Sequence, residues 1–461
     1  MISRGEFYDT REMRAVELNS AALGFGEELM MENAGSWVAR LAYPEGNSFL
    51  VLAGKGGKGG DGLVAARHLA LMGRKVKVLL AHKRCELKEI TLKQLKRAED
   101  TGVEVIEEPE EADVIIDALL GTGARGAPRG RVRELIEWAN GTESFKVSVD
   151  VPSGADPDGG CELCFEADLV VTVHKPKPVL KDMMDKVVVV EIGIPRKADT
   201  HAGPGDALLA RRRGRKGQNG RVGVVGGSEL YQGAPYLAGL AAFRSGADLV
   251  FVYSPVRMDF PELIWRDRRD LKEKLASDKV DVLLVGPGLG RDLETLRAAL
   301  EYAEESKAKV VLDADALKLL PKVGAYFSGR AVLTPHLGEA RALLGREVGD
   351  DLESRVRAAE EIAKTYGACV ILKGKVDVVH CGDKGVLNET GNEWMTVGGT
   401  GDVLAGVTAA YLGRDEPWWA AKAAAYLNGR AGEACYEEEG HASPDCLIRA
   451  VPRLAKAVGA K

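Results

Sequence analysis

Cysteine is scarce in this sequence: 7 residues are scattered through 461 positions, an odd number without regular spacing. That usage points to a reducing compartment and to a chain without a disulfide framework. Cys161-x-x-Cys164 is the one close pair, and no second pair or matched histidines complete a structural zinc site, so it reads as two loop thiols, with a disulfide between them as the lesser alternative. Long apolar runs are missing as well. No stretch approaches the ~20 residues that a membrane helix needs, and Met1 to Asn19 is polar, without the apolar core of a signal peptide. Positive charge is not in excess either, and a formal net charge of -6 argues against a general nucleic-acid binder. Repeats with a period of roughly 20 to 50 residues and long low-complexity tracts are absent, which excludes solenoids and extended disorder. A cytoplasmic globular protein that partners neither nucleic acid nor membrane is the expectation.

Hydrophobic residues make up 45% of the chain and charged residues 29%, enough for large cores under a solvated surface. A domain per roughly 100 to 200 residues sets the count at two or three, and two large domains are preferred. Short β-branched runs alternate with longer helical patterns, the signature of parallel α/β layers. In the first half the expected strands are 49–53, 75–80, 113–117, 146–150, 169–173 and 187–191. In the second they are 221–225, 249–253, 280–285, 310–313, 331–334 and 369–373. Between the halves, 194–206 contains Pro195, Gly203, Pro204 and Gly205 and reads as a linker, placing the boundary near residue 200.

Gly398-Gly399-Thr400-Gly401-Asp402 precedes an apolar helical run from Val403. Glycines let backbone approach phosphate oxygens, a helix N-terminus offers free N–H groups, and a carboxylate there can take a proton from a hydroxyl. Phosphoryl transfer to an alcohol is one reading; an Asp-capped helix start is the other. Other loops at strand ends agree with the first. Gly286-Pro287-Gly288-Leu289-Gly290 lies where ligands settle in α/β sheets. Asp313-Ala314-Asp315-Ala316-Leu317 offers two carboxylates for a magnesium-phosphate complex or for helix capping. Thr334-Pro335-His336-Leu337-Gly338-Glu339 sets a histidine among turn residues. The basic run Arg211 to Gly217 reads as a solvated loop or as a phosphate-contacting lid.

In this order, and with Lys216-Gly217-x-x-Gly220, Gly226-Gly227-Ser228, Gly233-Ala234-Pro235 and Leu372-Lys373-Gly374, these motifs resemble the NAD(P)H-hydrate dehydratase branch of the ribokinase-like superfamily over residues 205–458. The resemblance implies an α/β/α domain that acts on the hydrated nicotinamide cofactor with ADP and Mg2+, releasing AMP and phosphate. It assigns the hydrate to Ala234, Gly288, His336 and Asp402. The nucleotide falls to Lys373, Gly374, Lys375, Val376, Asp377, Asn392, Gly398, Gly399, Thr400 and Gly401, and Asp402 is the expected base. Lys318 and Leu337 depart from the family pattern, where Asn and Pro are usual.

In the first half, an apolar strand runs into Gly54-Lys55-Gly56-Gly57-Lys58-Gly59-Gly60-Asp61-Gly62 and then a helix from Leu63 to about Met72. Gly54-x-Gly56-x-x-Gly59 is formally a dinucleotide fingerprint, but the second strand ends in Ala81-His82-Lys83-Arg84 where an acidic residue should stand, so an NADP-dependent oxidoreductase is retained as an alternative. Asp117-Ala118-Leu119-Leu120-Gly121-Thr122-Gly123 and Asp150-Val151-Pro152-Ser153-Gly154 follow two further strands, and Glu32-Asn33-Ala34-Gly35 lies in an early helix. Together these resemble the NAD(P)HX epimerase family over residues 1–200, a Rossmann-like three-layer domain often fused to the dehydratase. The resemblance implies substrate contacts from Gly57, Lys58, Gly59, Gly60, Asp61, Gly121, Thr122, Gly123, Ala124, Arg125, Gly126, Ala127 and Asp150, with Asp150 catalytic. It also implies a potassium ion on Asp117 and Ser153.

At the glycine loop the family carries two asparagines and this chain has Gly57-Lys58, so Lys58 stands where an ion ligand is usual. Its ammonium either replaces the ion beside Asp117 or engages substrate phosphates. The expected whole is a bifunctional enzyme that epimerises R- and S-NADHX and NADPHX, dehydrates the S form with ADP, and associates with copies of itself. The alternatives are a ribokinase-like small-molecule kinase fused to a regulatory binding domain, and a first half that binds ligand without catalysis.

Overall fold

The computed structural model describes residues 2–210, 214–215 and 217–458; Arg211–Arg213 and Lys216 of the basic run lie outside the described residues. The chain divides into two compact units, Glu6–Arg196 and a second comprising Met1–Gly5 with Lys197–Lys461. Segment 194–206, expected as a linker, carries two short helices, Arg196–Thr200 and Pro204–Leu209, and a fully buried Asp206. Proline and glycine mark loops and helix starts alike, and here Gly203 precedes Pro204 at the first helical position. Arg4 belongs with the second unit, its guanidinium donating to both oxygens of Asp206 at 2.8 and 3.0 Å.

The Glu6–Arg196 unit is built on seven parallel strands: β1 (Ser48–Ala53), β2 (Lys75–Leu80), β3 (Glu104–Ile106), β4 (Val114–Ala118), β5 (Phe145–Val149), β6 (Leu169–Val173) and β7 (Val187–Val190). Their order is β3-β2-β1-β4-β5-β6-β7. β1 is buried from Phe49 to Ala53, as a strand covered on both faces must be. Leu50, Leu52 and Ile115 pack with Leu135 and Ile136 of the Gly130–Asn140 helix on one face. The Gly57–Leu71 helix packs against β1 and the Glu27–Ala42 helix. It begins six residues before the expected Leu63, so the glycine run forms its first turns. A Cβ at Gly54 would lie 1.8 Å from the Leu119 carbonyl, and one at Gly59 2.0 Å from the Gly54 carbonyl. Those two glycines serve the approach of backbone to backbone, while a Cβ at Gly56 would meet nothing within 4 Å.

The second unit has nine strands: β8 (Arg221–Val225), β9 (Leu249–Tyr253), β10 (Ile264–Arg266), β11 (Val282–Val285), β12 (Lys309–Leu312), β13 (Ala331–Leu333), β14 (Cys369–Leu372), β15 (Asp377–Cys381) and β16 (Lys384–Asn388). They lie in the order β10-β9-β8-β11-β12-β13-β14-β15-β16, parallel up to β14 and antiparallel from β14 through β16. In each sheet the order reverses beside a central strand, between β1 and β4 and between β8 and β11. The crevice at the carboxyl ends of such strands is where α/β sheets bind ligands.

Trp418 and Trp419 are core residues that flank the buried Lys422 ammonium, 4.4 and 3.7 Å from their ring centroids. Cysteine usage departs from expectation. Disulfides join Cys161–Cys164, Cys369–Cys381 and Cys435–Cys446, and Cys85 alone is free. Cys369 and Cys381 are register partners across β14 and β15, and Cys435–Cys446 links the Pro417–Glu439 helix to the Pro444–Val458 helix. These pairings follow from neighbouring elements and cannot be read from spacing alone.

Candidate active sites

In the first unit, the carboxyl ends of β1, β4 and β5 converge on Asp117, the penultimate residue of β4. Asp117 is wholly buried and heavily hydrogen-bonded: Oδ2 accepts from Ser148 Oγ (2.9 Å) and Ser153 N (2.8 Å), Oδ1 from Leu119 N (3.1 Å) and the Ser153 hydroxyl. Lys58, in the first turn of the Gly57–Leu71 helix, reaches the same carboxylate. Its Nζ donates to Asp117 Oδ2 at 2.8 Å, the Val151 carbonyl at 2.7 Å and Ser153 Oγ at 2.9 Å. An ammonium has three N–H donors, and all three are spent on these oxygens. Burial lowers the Lys58 pKa from its ordinary value while Asp117 opposes the shift. The oxygens expected to hold potassium are thus turned on a charged nitrogen of the chain itself, and this donor set does not fit an added cation.

Asp150 follows β5 in a tight turn, with φ +64° and Val151 N donating to the Val149 carbonyl at 2.8 Å. Its Oδ1 accepts from the buried Lys177 ammonium, Thr172 Oγ1 (3.0 Å) and Val173 N (3.3 Å). Asp61 faces the same region; burial, reinforced by Asp150 and Glu17, pushes its carboxyl well above the usual range. Burial also raises Glu17. Lys177 and Glu17 escape the sequence reading. Lys177 had a signal, a lysine inside Pro176-Lys177-Pro178 directly after a strand; Glu17 lies on the amphipathic Thr10–Ala22 helix and had none. Ala124, Gly126 and Ala127 line a small cleft closed opposite by Gly154–Asp156 and Gly160–Glu162. Arg125 is exposed and tied to Asp156 and Asp158 at 3.3 and 3.0 Å, while Gly121 lies beside the Lys58 stem.

In the second unit, loops after β11 to β14 meet through paired charges. Asp313, after β12, accepts at Oδ1 from Thr334 Oγ1 (2.8 Å) and Lys373 Nζ (2.9 Å), joining the ends of β12, β13 and β14. Asp315 accepts from Gly290 N and Lys318 Nζ, both at 2.9 Å, so Lys318 has a partner here. Both carboxylates are therefore engaged, and no group of three metal-ligating side chains exists among the described residues.

Asp402 lies in the first turn of the Thr400–Leu412 helix, entered through Gly399 at φ +96°, a left-handed conformation that suits glycine. Thr400 Oγ1 lies within hydrogen-bond distance of the Met395 (2.8 Å) and Val397 (3.0 Å) carbonyls, fixing the preceding loop. A Cβ at Gly401 would lie 3.4 Å from Lys373 Nζ, so that ammonium adjoins the open helix end. Burial, with Asp313 beside it, pushes the Asp402 carboxyl up to about 7 against the pull of Lys373. Lys373 is raised: burial acts against its charge, but Asp313 and Glu339 outweigh it.

Gly288 and Ala234 adjoin, a Cβ on the former lying 3.4 Å from that of the latter. His336 stands at the rim with its side chain 55% exposed, Nδ1 accepting from Gly338 N (2.9 Å) and Nε2 3.2 Å from Glu339 Oε1. It caps the Leu337–Leu344 helix and still presents its ring to solvent. Asp377 holds the β14–β15 turn, accepting from Gly374 N and Asn388 Nδ2 at 3.0 Å each, and Lys375 is exposed at that turn. Asn392 caps the short Glu393–Met395 turn, where Trp394 stacks on Tyr436 with centroids 5.4 Å apart.

Comparison with known proteins agrees with both halves. A family described as NAD(P)H-hydrate dehydratase matches residues 222–453, and one described as YjeF-related protein N-terminus matches 27–179. A protein of Hyperthermus butylicus named bifunctional NAD(P)H-hydrate repair enzyme Nnr is 41% identical across 94% of this chain and 89% of its own length. Its namesake in Methanopyrus kandleri is 41% identical over 92% of each chain. Among solved structures, a ribokinase-like superfamily protein of Enterococcus faecalis superposes with a TM-score of 0.51 at 24% identity, covering 57% of this chain and 97% of its own, a likeness of fold. With relatives this similar over nearly its full length, the chain belongs to the family of bifunctional NAD(P)H-hydrate repair enzymes.

Proposed function

We propose that the chain repairs hydrated nicotinamide cofactors in two steps, the first unit interconverting R- and S-NADHX and NADPHX and the second dehydrating the S form with Mg–ADP. The observation that carries the reading is Asp402: a half-buried carboxyl with a pKa pushed up to about 7, at a glycine-framed helix start, beside the Lys373 ammonium. A group of that pKa is half ionised near neutrality and suited to take the proton of the ring hydroxyl. The hydroxyl oxygen then bonds to the β-phosphorus of ADP and AMP departs. The Gly399–Gly401 amides and Lys373 stabilise charge on the transferring group. Loss of phosphate from the ring carbon, with release of a proton from the neighbouring ring carbon, restores the dihydropyridine. Ala234, Gly288 and His336 surround the hydrate, and the 373–377 and 392–401 segments hold the nucleotide.

In the first unit Asp150, anchored through one oxygen by Lys177, keeps the other for the hydroxylated ring carbon, protonating the departing hydroxyl and activating the returning water. Asp61, raised by its burial, is a proton donor at its side. The same reading places the protein in the cytoplasm with its cofactor substrates. No described helix is long and apolar enough to cross a membrane, and disulfides also occur in intracellular proteins of hyperthermophiles. It gives the protein a second copy as partner, supported by Val188 and Val189 exposed on edge strand β7.

The test supplies both NADHX epimers with magnesium and either ADP or ATP and follows dihydronicotinamide absorbance. Complete recovery with ADP is expected. Recovery of one epimer's share would remove the epimerase, and phosphate retained on the product would turn the second unit into a small-molecule kinase.

A further inference from the structure

We infer that the Lys58 ammonium is the permanent monovalent cation of the first unit, a positioning residue that holds the Asp150 turn in shape without potassium. The inference rests on the reading of that unit as an epimerase for its kinetic test, though not for its structural one. Asp117, Val151 and Ser153 present a carboxylate, a carbonyl and a hydroxyl, a set of hard oxygens such as binds a cation. Each is within 2.9 Å of Nζ, and the Lys58 and Asp117 side chains are 4% and 0% exposed. The Ser153 hydroxyl has no capacity left: it donates to Asp117 Oδ1 and accepts from Leu120 N (2.8 Å) as well as from Lys58. A second cation would have to share one carboxylate with the ammonium in a dry pocket, at the cost of like-charge repulsion and desolvation.

The tether matters as much as the charge. Lys58 is carried on the first turn of the Gly57–Leu71 helix, so its ammonium is delivered by folding and loses no association entropy. Its acceptor Val151 follows Asp150, whose φ of +64° is uncommon outside glycine. The strand-end turn is gripped from two sides, by Lys58 on the Val151 carbonyl and by Ser153 N on Asp117. The ammonium therefore fixes the Val151–Pro152 peptide, next but one to the Asp150 Cα, and with it the turn that carries the Asp150 carboxylate, the task an ion would otherwise perform from the same place.

Two measurements on the intact chain test this. Epimerisation is followed in potassium and in tetramethylammonium salts, and crystals are soaked in thallous ion, an anomalous scatterer that takes potassium sites. The wild-type rate should be the same in both salts, and thallium density should be absent between Asp117 and Val151. Lys58→Asn should be slow in tetramethylammonium and gain about tenfold or more with potassium, the scale of losing a ligand-orienting contact. It should also acquire thallium density at that point. Saturable potassium activation of the wild type, a thallium peak there in the wild type, or a Lys58→Asn chain fully active without potassium would each overturn the inference. Should the variant not fold, the wild-type crystals decide. Should no epimerisation occur in any salt, the epimerase reading fails and the thallium result still decides the cation.

Discussion

Lys58 and Lys373 invite comparison, since each stands at the carboxyl end of a parallel sheet and each pairs with an aspartate at the end of another strand, at 2.8 and 2.9 Å. The pairs differ in what is left over. Lys58 spends all three donors on protein oxygens and is 4% exposed; Lys373 reaches Asp313 alone among the described residues and is 21% exposed, next to the glycines of the Asp402 loop. An ammonium with nothing left to donate is part of the scaffold. One with unspent N–H groups beside an open helix end is free to meet a phosphate. The same residue type, near the same kind of strand end, has its donors spent in one unit and, in the function proposed above, turned to the nucleotide in the other.

The largest effect should come from the carboxylate that Lys373 faces. Asp402→Asn removes the proposed base and should cost on the order of 10²- to 10⁴-fold in dehydration rate, with ADP affinity by calorimetry nearly unchanged; wild-type turnover would end the assignment. Next, the two lysines should differ in what truncation does to ligand binding. Lys58→Met leaves Asp117 buried without its cation and should destabilise the first unit by about 3–5 kcal/mol in denaturant unfolding. Lys373→Met leaves Asp313, 2% exposed, without its cation and should destabilise the second unit as well, but it should also weaken ADP by about 1.5–3 kcal/mol, the worth of a charge-assisted hydrogen bond. Unchanged ADP affinity in the Lys373 variant would break the comparison.

Reduction should separate the units more gently. The Cys369–Cys381 and Cys435–Cys446 bridges span 12 and 11 residues and both lie in the second unit. Loops of that length are worth about 3 kcal/mol each, against less for the three-residue Cys161–Cys164 loop. Calorimetry with reductant should therefore lower the second transition more than the first. The smallest effect is the pH limb. Asp402 acts as a base only when ionised, so with its pKa about 7 the dehydration rate should rise as pH climbs through neutrality and level above it. A limb near the ordinary carboxylate range would mean that the burial assigned to Asp402 is wrong.

Much of the architecture was legible because buried parallel strands are written as unbroken β-branched runs. Lys75–Leu80, Leu169–Val173, Arg221–Val225 and Leu249–Tyr253 coincide with their expected ranges. What escaped has a physical reason. β3 and β10 are three residues long, too short for a pattern, and the β15–β16 hairpin breaks the parallel rhythm, hiding the Cys369–Cys381 pairing as well. At the sites, sequence identified Lys58, Asp117 and Ser153 as neighbours through resemblance, but left open whether the ammonium turns toward Asp117 or outward. Only the helix starting at Gly57 resolves that direction. Lys177 shows the opposite limit: Pro176 and Pro178 around it mark the position, but its burial against Asp150 is a tertiary fact that this local pattern does not state.

Arg4 carries a consequence for how this chain comes into being. Its guanidinium and the Lys422 ammonium close on one buried carboxylate, Asp206, all three side chains being wholly inaccessible. The ribosome makes Arg4 long before Lys422, so that the clasp cannot shut until most of the second unit has been synthesised. Glu6–Arg196 can mature while the rest emerges, whereas the other unit must wait with its opening residues held in reserve. A gene split near codon 200 would deliver the second half without the Arg4 guanidinium and leave its buried Asp206 to Lys422, which ties the two activities together through assembly before any question of shared substrate arises.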